Sequence, residues 1–314
     1  YLGVDLGGTN IACGVVTQQG EILGRATVKT GLPASGEEIA DRIARCGRMA
    51  AEDAKISMAQ VESVGIGTPG IANSERGEVE YSCNLGFQNT PLAKLVSDRL
   101  GKPVFLENDA NAAALGEYAA GSGRGSHSLV AITLGTGVGG GVVIGGRLLT
   151  GFNFAGAEIG HFVMVQDGEP CSCGRKGCFE AYCSATALIR QTRRAMEADP
   201  QSLMWKLAEK LEDVTGRTAF DAMEQGDETA KNVVAQYIDY LACGLTSIVN
   251  IFQPEVLCVG GGVCNQGERL LAPVRAVFDR EDYARASARR TRIVRAQLGN
   301  DAGIIGAALL PLYQ

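Results

Sequence analysis

Apolar runs and glycine-rich turns follow one another in the same order in two stretches of the chain. In each stretch, two apolar runs flank a cluster of glycines, and a second tight turn leads to a third run. The runs cover 1–6, 10–16 and 21–30 in the first stretch, and 128–134, 142–144 and 147–150 in the second. Each stretch therefore predicts a three-stranded meander with a glycine turn after its first strand.

The segments after each meander alternate between helical and strand patterns. After the first meander the pattern predicts a helix over 35–54, a strand over 61–66, a helix over 90–100, a strand over 103–106 and a helix from 109. After the second it predicts helices, with an inserted helical stretch over 185–225, then a strand over 256–259, a helix, a strand over 292–295 and a last helix from 301. This is the pattern of an internal duplication.

A duplicated meander followed by helices and strands predicts two α/β domains with mixed sheets and a cleft between them. We expect a small domain over 1–112 and a large domain over 113–300. The C-terminal helix, 301–314, is expected to pack back on the small domain.

Composition excludes several classes of protein. The chain has 314 residues and a net charge of −6 with no evident basic run, which disfavours nucleic acid or an anionic membrane as a partner. No apolar stretch is long enough to span a membrane, and the first residues predict a strand rather than a secretory signal. The ten cysteines are mostly scattered, as in a reduced, cytoplasmic protein.

The two glycine turns are candidate phosphate sites. Residues 135–140 fit a G-x-G-x-x-G pattern with Glu158 about 20 residues later, but a dinucleotide fold needs a helix after the glycines and a strand follows here. Backbone N–H groups of such turns can still bind anions, with hydroxyl donors at Thr9 and Thr136. The alternative is that both are plain hairpins. A third cluster, 260–262, is a weak signal by itself.

An acidic segment, Glu107-Asn108-Asp109, follows an apolar strand and precedes a helix of small residues. Asp109 fits the N-cap of that helix, a purely structural role. It also fits catalysis, because strand ends at a cleft are where α/β proteins place their chemistry. The carboxylate of Asp109 could then take a hydroxyl proton beside the amide of Asn108. Both alternatives remain open at this point.

A short loop concentrates metal-binding residues. Cys171, Cys173 and Cys178, with His161 upstream, make the Cys₃His donor set of a closed, structural zinc site. Such a metal would hold Glu158 and Glu180 at fixed positions beside a pocket, away from the nucleotide loops. The alternative is a loop of ordinary reduced cysteines.

Taken together, these motifs resemble the ROK family of sugar kinases within the actin-like ATPase superfamily, most closely its bacterial glucokinases. The resemblance covers essentially the whole chain. Its motifs are Asp5-Leu-Gly-Gly-Thr-Asn10, Gly67-Thr-Pro-Gly70, Glu107-Asn-Asp109, Leu134-Gly-Thr-Gly-Val-Gly-Gly-Gly141, Glu158-Ile-Gly-His161 and Cys171-Ser-Cys-Gly-Arg-Lys-Gly-Cys-Phe-Glu180.

The resemblance implies a role for each matching residue. It implies Asp109 as general base and zinc bound by His161, Cys171, Cys173 and Cys178. The implied sugar contacts are Gly70, Asn84, Asn108, Asp109, Glu158, His161 and Glu180. The implied ATP and Mg²⁺ region consists of Asp5, Gly7, Gly8, Thr9, Asn10, Thr136, Gly137, Gly261 and Gly262.

The implied activity is ATP-dependent phosphorylation of glucose to glucose 6-phosphate by a cytoplasmic homodimer or homotetramer. A sister kinase acting on N-acetylmannosamine or another hexose would share the same catalytic residues. A sugar-responsive repressor of this family would carry a DNA-binding region before the first turn, whereas this sequence begins directly on the first strand.

Overall fold

The computed structural model describes residues 1–313, and contacts between residues divide them into two units. Unit 1 consists of Tyr1–Ala131, Gly140–Ala157 and the described residues from Ala296 onward. Unit 2 consists of Ile132–Gly139 and Glu158–Arg295. The boundary that the sequence suggested, between 112 and 113, falls inside one continuous helix, so the first unit extends further along the chain than expected.

The regular elements of the described residues are numbered in chain order. The strands are β1 (Leu2–Leu6), β2 (Asn10–Val16), β3 (Ile22–Lys29), β4 (Val64–Thr68), β5 (Ile71–Asn73), β6 (Glu78–Ser82), β7 (Phe87–Thr90), β8 (Val104–Asn108), β9 (Ser128–Leu134), β10 (Val138–Ile144), β11 (Arg147–Leu148), β12 (Val256–Gly260) and β13 (Arg292–Arg295). The α-helices are α1 (Gly36–Asp53), α2 (Leu92–Leu100), α3 (Asp109–Ala120), α4 (Glu180–Cys183), α5 (Ala185–Ala198), α6 (Met204–Leu207), α7 (Thr218–Glu224), α8 (Glu228–Phe252), α9 (Glu268–Glu281) and α10 (Ala302–Leu309).

Two five-stranded sheets have the same strand order. The first is β3-β2-β1-β4-β8 and the second is β11-β10-β9-β12-β13. In the first, β1, β2 and β3 form an antiparallel meander, and β4 and β8 lie parallel to β1. In the second, β10 and β11 are antiparallel, and β12 and β13 are parallel. The repeated order confirms the duplicated α/β fold that the sequence predicted.

A third sheet, β5-β6-β7, is antiparallel and was not predicted. Its strands are three to five residues long and carry many polar side chains. Short polar strands have no clear alternation of buried and exposed positions, so the pattern of the sequence gives little sign of them.

The core of unit 1 lies between the first sheet and helices α1 and α2. Alternate residues of β1, such as Leu2 and Val4, pack with Ile39 and Ile43 of α1, and all four are fully buried. Helix α1 begins with a capping box in which Ser35 and Glu38 satisfy each other's backbone N–H groups.

Helix α10 packs against α3 and against the sheet at very short range. An added Cβ at Gly306 would overlap the carbonyl group of Ala112, and one at Gly116 would overlap that of Ala302. On the sheet, an added Cβ at Gly65 would overlap the carbonyl group of Ala307. Only glycine permits so close an approach at these positions. The contacts hold α10 against α3 and against β4.

Unit 2 is built around α8, whose N-cap is Asp227 and whose buried face packs on α7 and α9. Tyr237, the buried tyrosine of α8, donates a hydrogen bond of 2.6 Å to the carbonyl oxygen of Cys183 at the end of α4. Within residues 1–313, no helix combines the length and apolarity that a membrane span requires.

Candidate active site and metal loop

The carboxyl ends of three parallel strands bring the acidic residues of unit 1 together. In the strand register, Asp5 of β1 lies opposite Gly67 of β4, and Thr68 of β4 lies opposite Asn108 of β8. Asp109 follows as the first residue of α3, and an added Cβ at Gly67 would lie 3.5 Å from the Asp109 Cα. Strand ends of this kind are the usual location of ligand sites in α/β sheets.

The N-cap of α3 is Asn108 and not Asp109. The Asn108 Oδ1 accepts hydrogen bonds from the backbone N–H groups of Ala110 (2.8 Å) and Asn111 (3.2 Å). Its Nδ2 donates to the carbonyl oxygen of Gly70 at 3.1 Å. The sequence did not decide whether Asp109 is the N-cap of this helix, and the structure shows that Asn108 is. The Asp109 Oδ1 also accepts from the Ala110 N–H at 2.8 Å, so the two side chains share that donor, while the bond from the Asn111 N–H goes to Asn108.

Burial raises the pKa of both carboxyl groups in this cluster. Desolvation raises the pKa of Asp5 to about 6, and the neighbouring negative charge of Asp109 adds to the rise. Desolvation also raises the pKa of Asp109, while a hydrogen bond from the Ala110 N–H opposes the rise. Desolvation and a neighbouring negative charge both penalise the charged form of a carboxyl group. Such a pair is suited to accepting a proton or a cation.

Glu107 is a structural member of the site to which the sequence analysis gave no role of its own. Its side chain is 1% exposed, and its Oε1 accepts hydrogen bonds from the Asn108 N–H (2.9 Å) and from the Asn111 Nδ2 (3.1 Å). These bonds hold the junction of β8 and α3 on which Asp109 lies. An acidic residue ending an apolar strand gives no sequence signal for burial, because Glu is usually exposed.

The remaining sugar-contact candidates of unit 1 lie around the Gly70 turn. Gly70 has a φ of 103° and its α-carbon packs against the backbone of Tyr81, so a side chain does not fit there. Its carbonyl is the group that Asn108 binds. Asn84 lies in the exposed turn between β6 and β7.

The first turn, residues 7–10, is held by the end of its own meander. The Gly7 N–H donates to the Asn10 carbonyl at 2.9 Å, which closes the turn. Thr30, just after β3, is fully buried. It donates from its Oγ1 to the Gly7 carbonyl at 2.6 Å and from its N–H to the Thr9 carbonyl at 2.9 Å. An added Cβ at Gly8 would have no heavy atom within 4 Å, so this turn is open on one side.

The second turn, residues 135–138, leads directly into β10, which confirms that the glycines do not open a helix. Its Gly135 N–H donates to the Gly137 carbonyl at 3.0 Å. Thr136 is exposed. An added Cβ at Gly137 would overlap Oε2 of Glu180, so the Glu180 side chain would have to move to accommodate a larger residue there.

Gly261 and Gly262 differ in their surroundings. Gly261 has a φ of 88°, and an added Cβ would overlap the backbone of Leu134 at the end of β9. Contact between β12 and β9 therefore explains this glycine. Gly262 begins a short 3₁₀ helix and has open space where its side chain would be.

The cysteine loop, residues 171–178, places three thiols beside the His161 ring, so that four ligand atoms surround one point. The Cys171 Sγ lies 3.6 Å from the His161 Nδ1, and the Cys173 Sγ lies 3.7 Å from the Cys178 Sγ. All four ligand atoms lie within 4.8 Å of one another. Tetrahedral zinc, with Zn–S bonds of about 2.3 Å, separates its ligands by roughly 3.5–3.8 Å. The donor set and its spacing therefore fit zinc.

Backbone geometry of the loop supports the same interpretation. Gly174 and Gly177 have φ values of 86° and 80°, and an added Cβ at Gly177 would overlap the Val165 carbonyl oxygen. Desolvation raises the pKa of the Cys178 thiol to about 12. A bound divalent cation reverses this effect, since a coordinating thiol is deprotonated.

Glu180 lies against the second turn, contrary to the expectation that the cysteine loop and the nucleotide loops are far apart. Its Oε2 accepts a hydrogen bond of 3.0 Å from the Val138 N–H, and its Oε1 accepts one of 2.7 Å from Ser172. His161 and Glu158 are joined by a backbone hydrogen bond of 3.0 Å. Because His161 turns Nδ1 toward the thiols, its Nε2 is the ring nitrogen left for a ligand.

Each unit thus assembles its own group of candidate residues. Unit 1 brings together Asp5, the first turn, Gly70, Asn108 and Asp109. Unit 2 brings together the cysteine loop, His161, Glu180 and the second turn. Residues that sequence reasoning missed, above all Glu107, Thr30 and Ser172, all act through hydrogen bonds to these groups.

Comparison with known protein families identifies the class of protein that has this fold and these residues. The ROK family model matches residues 1–313, so the chain belongs to the ROK family. Its fold is that of the actin-like ATPases.

Individual relatives within this family are similar over nearly their whole length. A glucokinase from Thermotoga maritima is 42% identical over 309 residues, which cover 98% of this chain and 95% of the relative. The crystal structure of a ROK family glucokinase from Streptomyces griseus in complex with glucose and AMPPNP is 38% identical, with a TM-score of 0.81 over 99% of this chain and 98% of that one. A ROK hexokinase from Thermus thermophilus is 36% identical, with a TM-score of 0.82 over 98% and 96% of the two chains.

Proposed function

We propose that this protein is a glucokinase that transfers the γ-phosphoryl group of ATP to the 6-hydroxyl of glucose. The observation that carries the proposal is the half-buried carboxyl of Asp109, which lies at the end of β8 beside Asn108, the N-cap of α3, and has a raised pKa. The similarity to the glucokinase of Thermotoga maritima supports it, as does the similarity to the Streptomyces griseus enzyme, which was crystallised with glucose and AMPPNP.

Asp109 is the proposed general base. The 6-hydroxyl oxygen forms a bond to the γ-phosphorus, the bond from that phosphorus to the bridging oxygen of ADP breaks, and the hydroxyl proton passes to Asp109. The pKa of Asp109 is raised by desolvation, which brings the base closer to the operating pH and makes proton transfer more favourable. Phosphoryl transfer otherwise depends mainly on positioning and on neutralising charge.

The proposed nucleotide contacts come from the glycine turns and from Asp5. Gly8 has the open surroundings that close approach of a phosphate requires. A magnesium ion, when bound, would neutralise phosphate charge, and the carboxylate of Asp5 is the type of oxygen ligand it prefers. The proposed contacts are Asp5, Gly7, Gly8, Thr9, Asn10, Thr136, Gly137, Gly261 and Gly262.

The proposed sugar contacts are polar groups that can exchange hydrogen bonds with hydroxyls. The Asn108 amide donates to the Gly70 carbonyl and also hydrogen-bonds the Asp109 carboxyl, so it holds the proposed base in place beside the sugar. His161 would bind zinc through Nδ1 and a hydroxyl through Nε2. The proposed contacts are Gly70, Asn84, Asn108, Asp109, Glu158, His161 and Glu180.

The zinc ion is proposed to be structural. Cys171, Cys173, Cys178 and His161 would supply all four ligands, which leaves no open position for chemistry. We also propose a cytoplasmic location and a homodimeric or homotetrameric state. The ten cysteines, all of them free in the structure, support a reducing compartment.

A panel assay tests this function. Production of ADP is measured with glucose, mannose, fructose, N-acetylglucosamine and N-acetylmannosamine at equal concentrations. We expect the highest kcat/KM with glucose. A higher value with an N-acetylhexosamine would replace the proposal with the sister-kinase alternative, and no turnover with any sugar would reject kinase activity.

A further inference from the structure

The segment that follows the cysteine loop holds the second turn by three hydrogen bonds. The Ala185 N–H donates to the Gly135 carbonyl at 2.8 Å, and the Thr186 Oγ1 donates to the Thr136 carbonyl at 2.7 Å. The third bond runs from the Val138 N–H to the Glu180 carboxylate at 3.0 Å. Each of the three successive peptide units between Gly135 and Val138 is therefore held by a hydrogen bond from outside the turn.

Thr186 contributes to this support only through its hydroxyl. The side chain is exposed, at the start of α5, so it adds little to a hydrophobic core. The carbonyl that it binds belongs to Thr136, a proposed nucleotide contact. Fixing this carbonyl also fixes the peptide plane that carries the Gly137 N–H, because the peptide unit is planar. Thr186 thus sets the direction of a donor that a phosphate would meet.

Glu180 connects the same turn to the cysteine loop. One carboxylate oxygen accepts from Val138, and the other accepts from the Ser172 hydroxyl at 2.7 Å. Ser172 lies between the metal-ligand positions Cys171 and Cys173. The position of its hydroxyl depends on whether these two cysteines are drawn together. Two hydrogen bonds, from Ser172 to Glu180 and from Val138 to Glu180, therefore connect the cysteine loop to the turn.

We propose that Thr186 and Glu180 are positioning residues for the nucleotide phosphates, and that metal in the cysteine loop strengthens nucleotide binding through Ser172 and Glu180. The inference rests on the proposed function, because it takes the second turn to be a phosphate site. It replaces the expectation that the metal lies away from the nucleotide loops.

The first test measures binding of AMPPNP with Mg²⁺, without sugar, by calorimetry on the metal-loaded protein. Thr186→Val removes the hydroxyl and keeps the shape of the side chain. We expect its Kd to rise about three- to tenfold, the range for losing one hydrogen bond. Thr186→Ser retains the hydroxyl and should bind as the native protein does. This pair does not touch the metal ligands, so a folding defect of the loop does not enter.

The second test removes the metal by chelation and follows the metal content by elemental analysis. We expect metal-free native protein to bind AMPPNP about three- to tenfold more weakly, since one hydrogen bond to the turn loses its support. Ser172→Ala, still loaded with metal, should show a similar loss, and chelation should then add little. Ser247→Ala is the matched control, because that hydroxyl binds the Cys243 carbonyl within α8.

The outcomes separate the two proposals. Native binding that is indifferent to Thr186→Val, to Ser172→Ala and to chelation would overturn this inference alone. A loaded native protein that does not bind AMPPNP at all would overturn the proposed function together with it.

Discussion

The turn after β1 and the turn after β9 both close with a backbone hydrogen bond from their first glycine, yet they are supported by different parts of the chain. In the first turn the Gly7 N–H binds the Asn10 carbonyl, and in the second the Gly135 N–H binds the Gly137 carbonyl. Thr30, 23 residues from Gly7, supports the first turn. Glu180, 42 residues from Val138, supports the second.

This difference matters for function. The first turn is held by Thr30 at the end of its own meander and lies beside the Asp5–Asp109 carboxyl pair, all within unit 1. The second turn is held by Glu180, which also accepts a hydrogen bond from Ser172 in the cysteine loop. Duplication has kept the strand order and the turn, while the supporting contacts have diverged.

The largest expected effect concerns the chemistry beside the first turn. Asp109→Asn removes the proposed proton acceptor, and general-base catalysis typically contributes about 10²–10⁴-fold, so kcat should fall by at least the lower end of that range. The melting temperature should change little, because Asn108 is the N-cap. Metal content and AMPPNP binding should be unchanged. The control is Asp98→Asn, which affects an exposed ion pair with Lys94. Near-native turnover in a folded Asp109→Asn protein would place the base elsewhere.

The comparison of Gly137→Ala with Gly8→Ala comes next. The alanine at 137 would push the Glu180 carboxylate away from the Val138 N–H, so binding of both glucose and AMPPNP should weaken. The alanine at 8 meets no protein atom, so only AMPPNP binding should weaken, by about tenfold for one lost charge-assisted hydrogen bond. Unchanged AMPPNP binding in Gly8→Ala would exclude close approach of a phosphate to the first turn.

A third prediction tests whether the support of the first turn is independent. Thr30→Val leaves the carbonyl of Gly7 without its buried donor, at a cost of about 1–3 kcal/mol in the free energy of unfolding, measured with urea. Thr30→Ser keeps the hydroxyl and should lose much less. Metal content should be native in both variants, and loss of metal in Thr30→Val would show that the two turns are not independently supported.

The smallest expected effect is a pH dependence of stability. The folded-state pKa of Asp5 is raised from 3.8 to about 6, so the folded protein binds more protons than the unfolded chain between about pH 4 and 6. Stability should therefore fall as the pH rises through this window, by on the order of 1–2 kcal/mol after solvent screening. Thermal melts across this range should show a shallower fall in Asp5→Asn. An equal slope in both proteins would contradict the raised pKa.

Much of the fold could be predicted because the chain repeats a strong pattern. The two meanders, most of the later strands and the helix from Asp109 follow from apolar periodicity and glycine turns. The sheet over β5–β7 could not be predicted, since its short polar strands have no clear period. The two units that contacts define do not divide at 112, because α3 is continuous across that position.

The sequence by itself determined the chemical inventory of this protein: a Cys₃His set at metal-ligand spacing, a carboxylate at a strand end and two glycine turns. These are local properties, fixed by residue type and by separations of a few positions. The tertiary structure alone decided which atoms are already in use. Asn108 is the N-cap of α3, the Glu180 carboxylate lies against Gly137, and Thr30, Ser172 and Thr186 support the turns. Hydrogen bonds between residues far apart in the chain depend on how the elements pack, which no local pattern encodes.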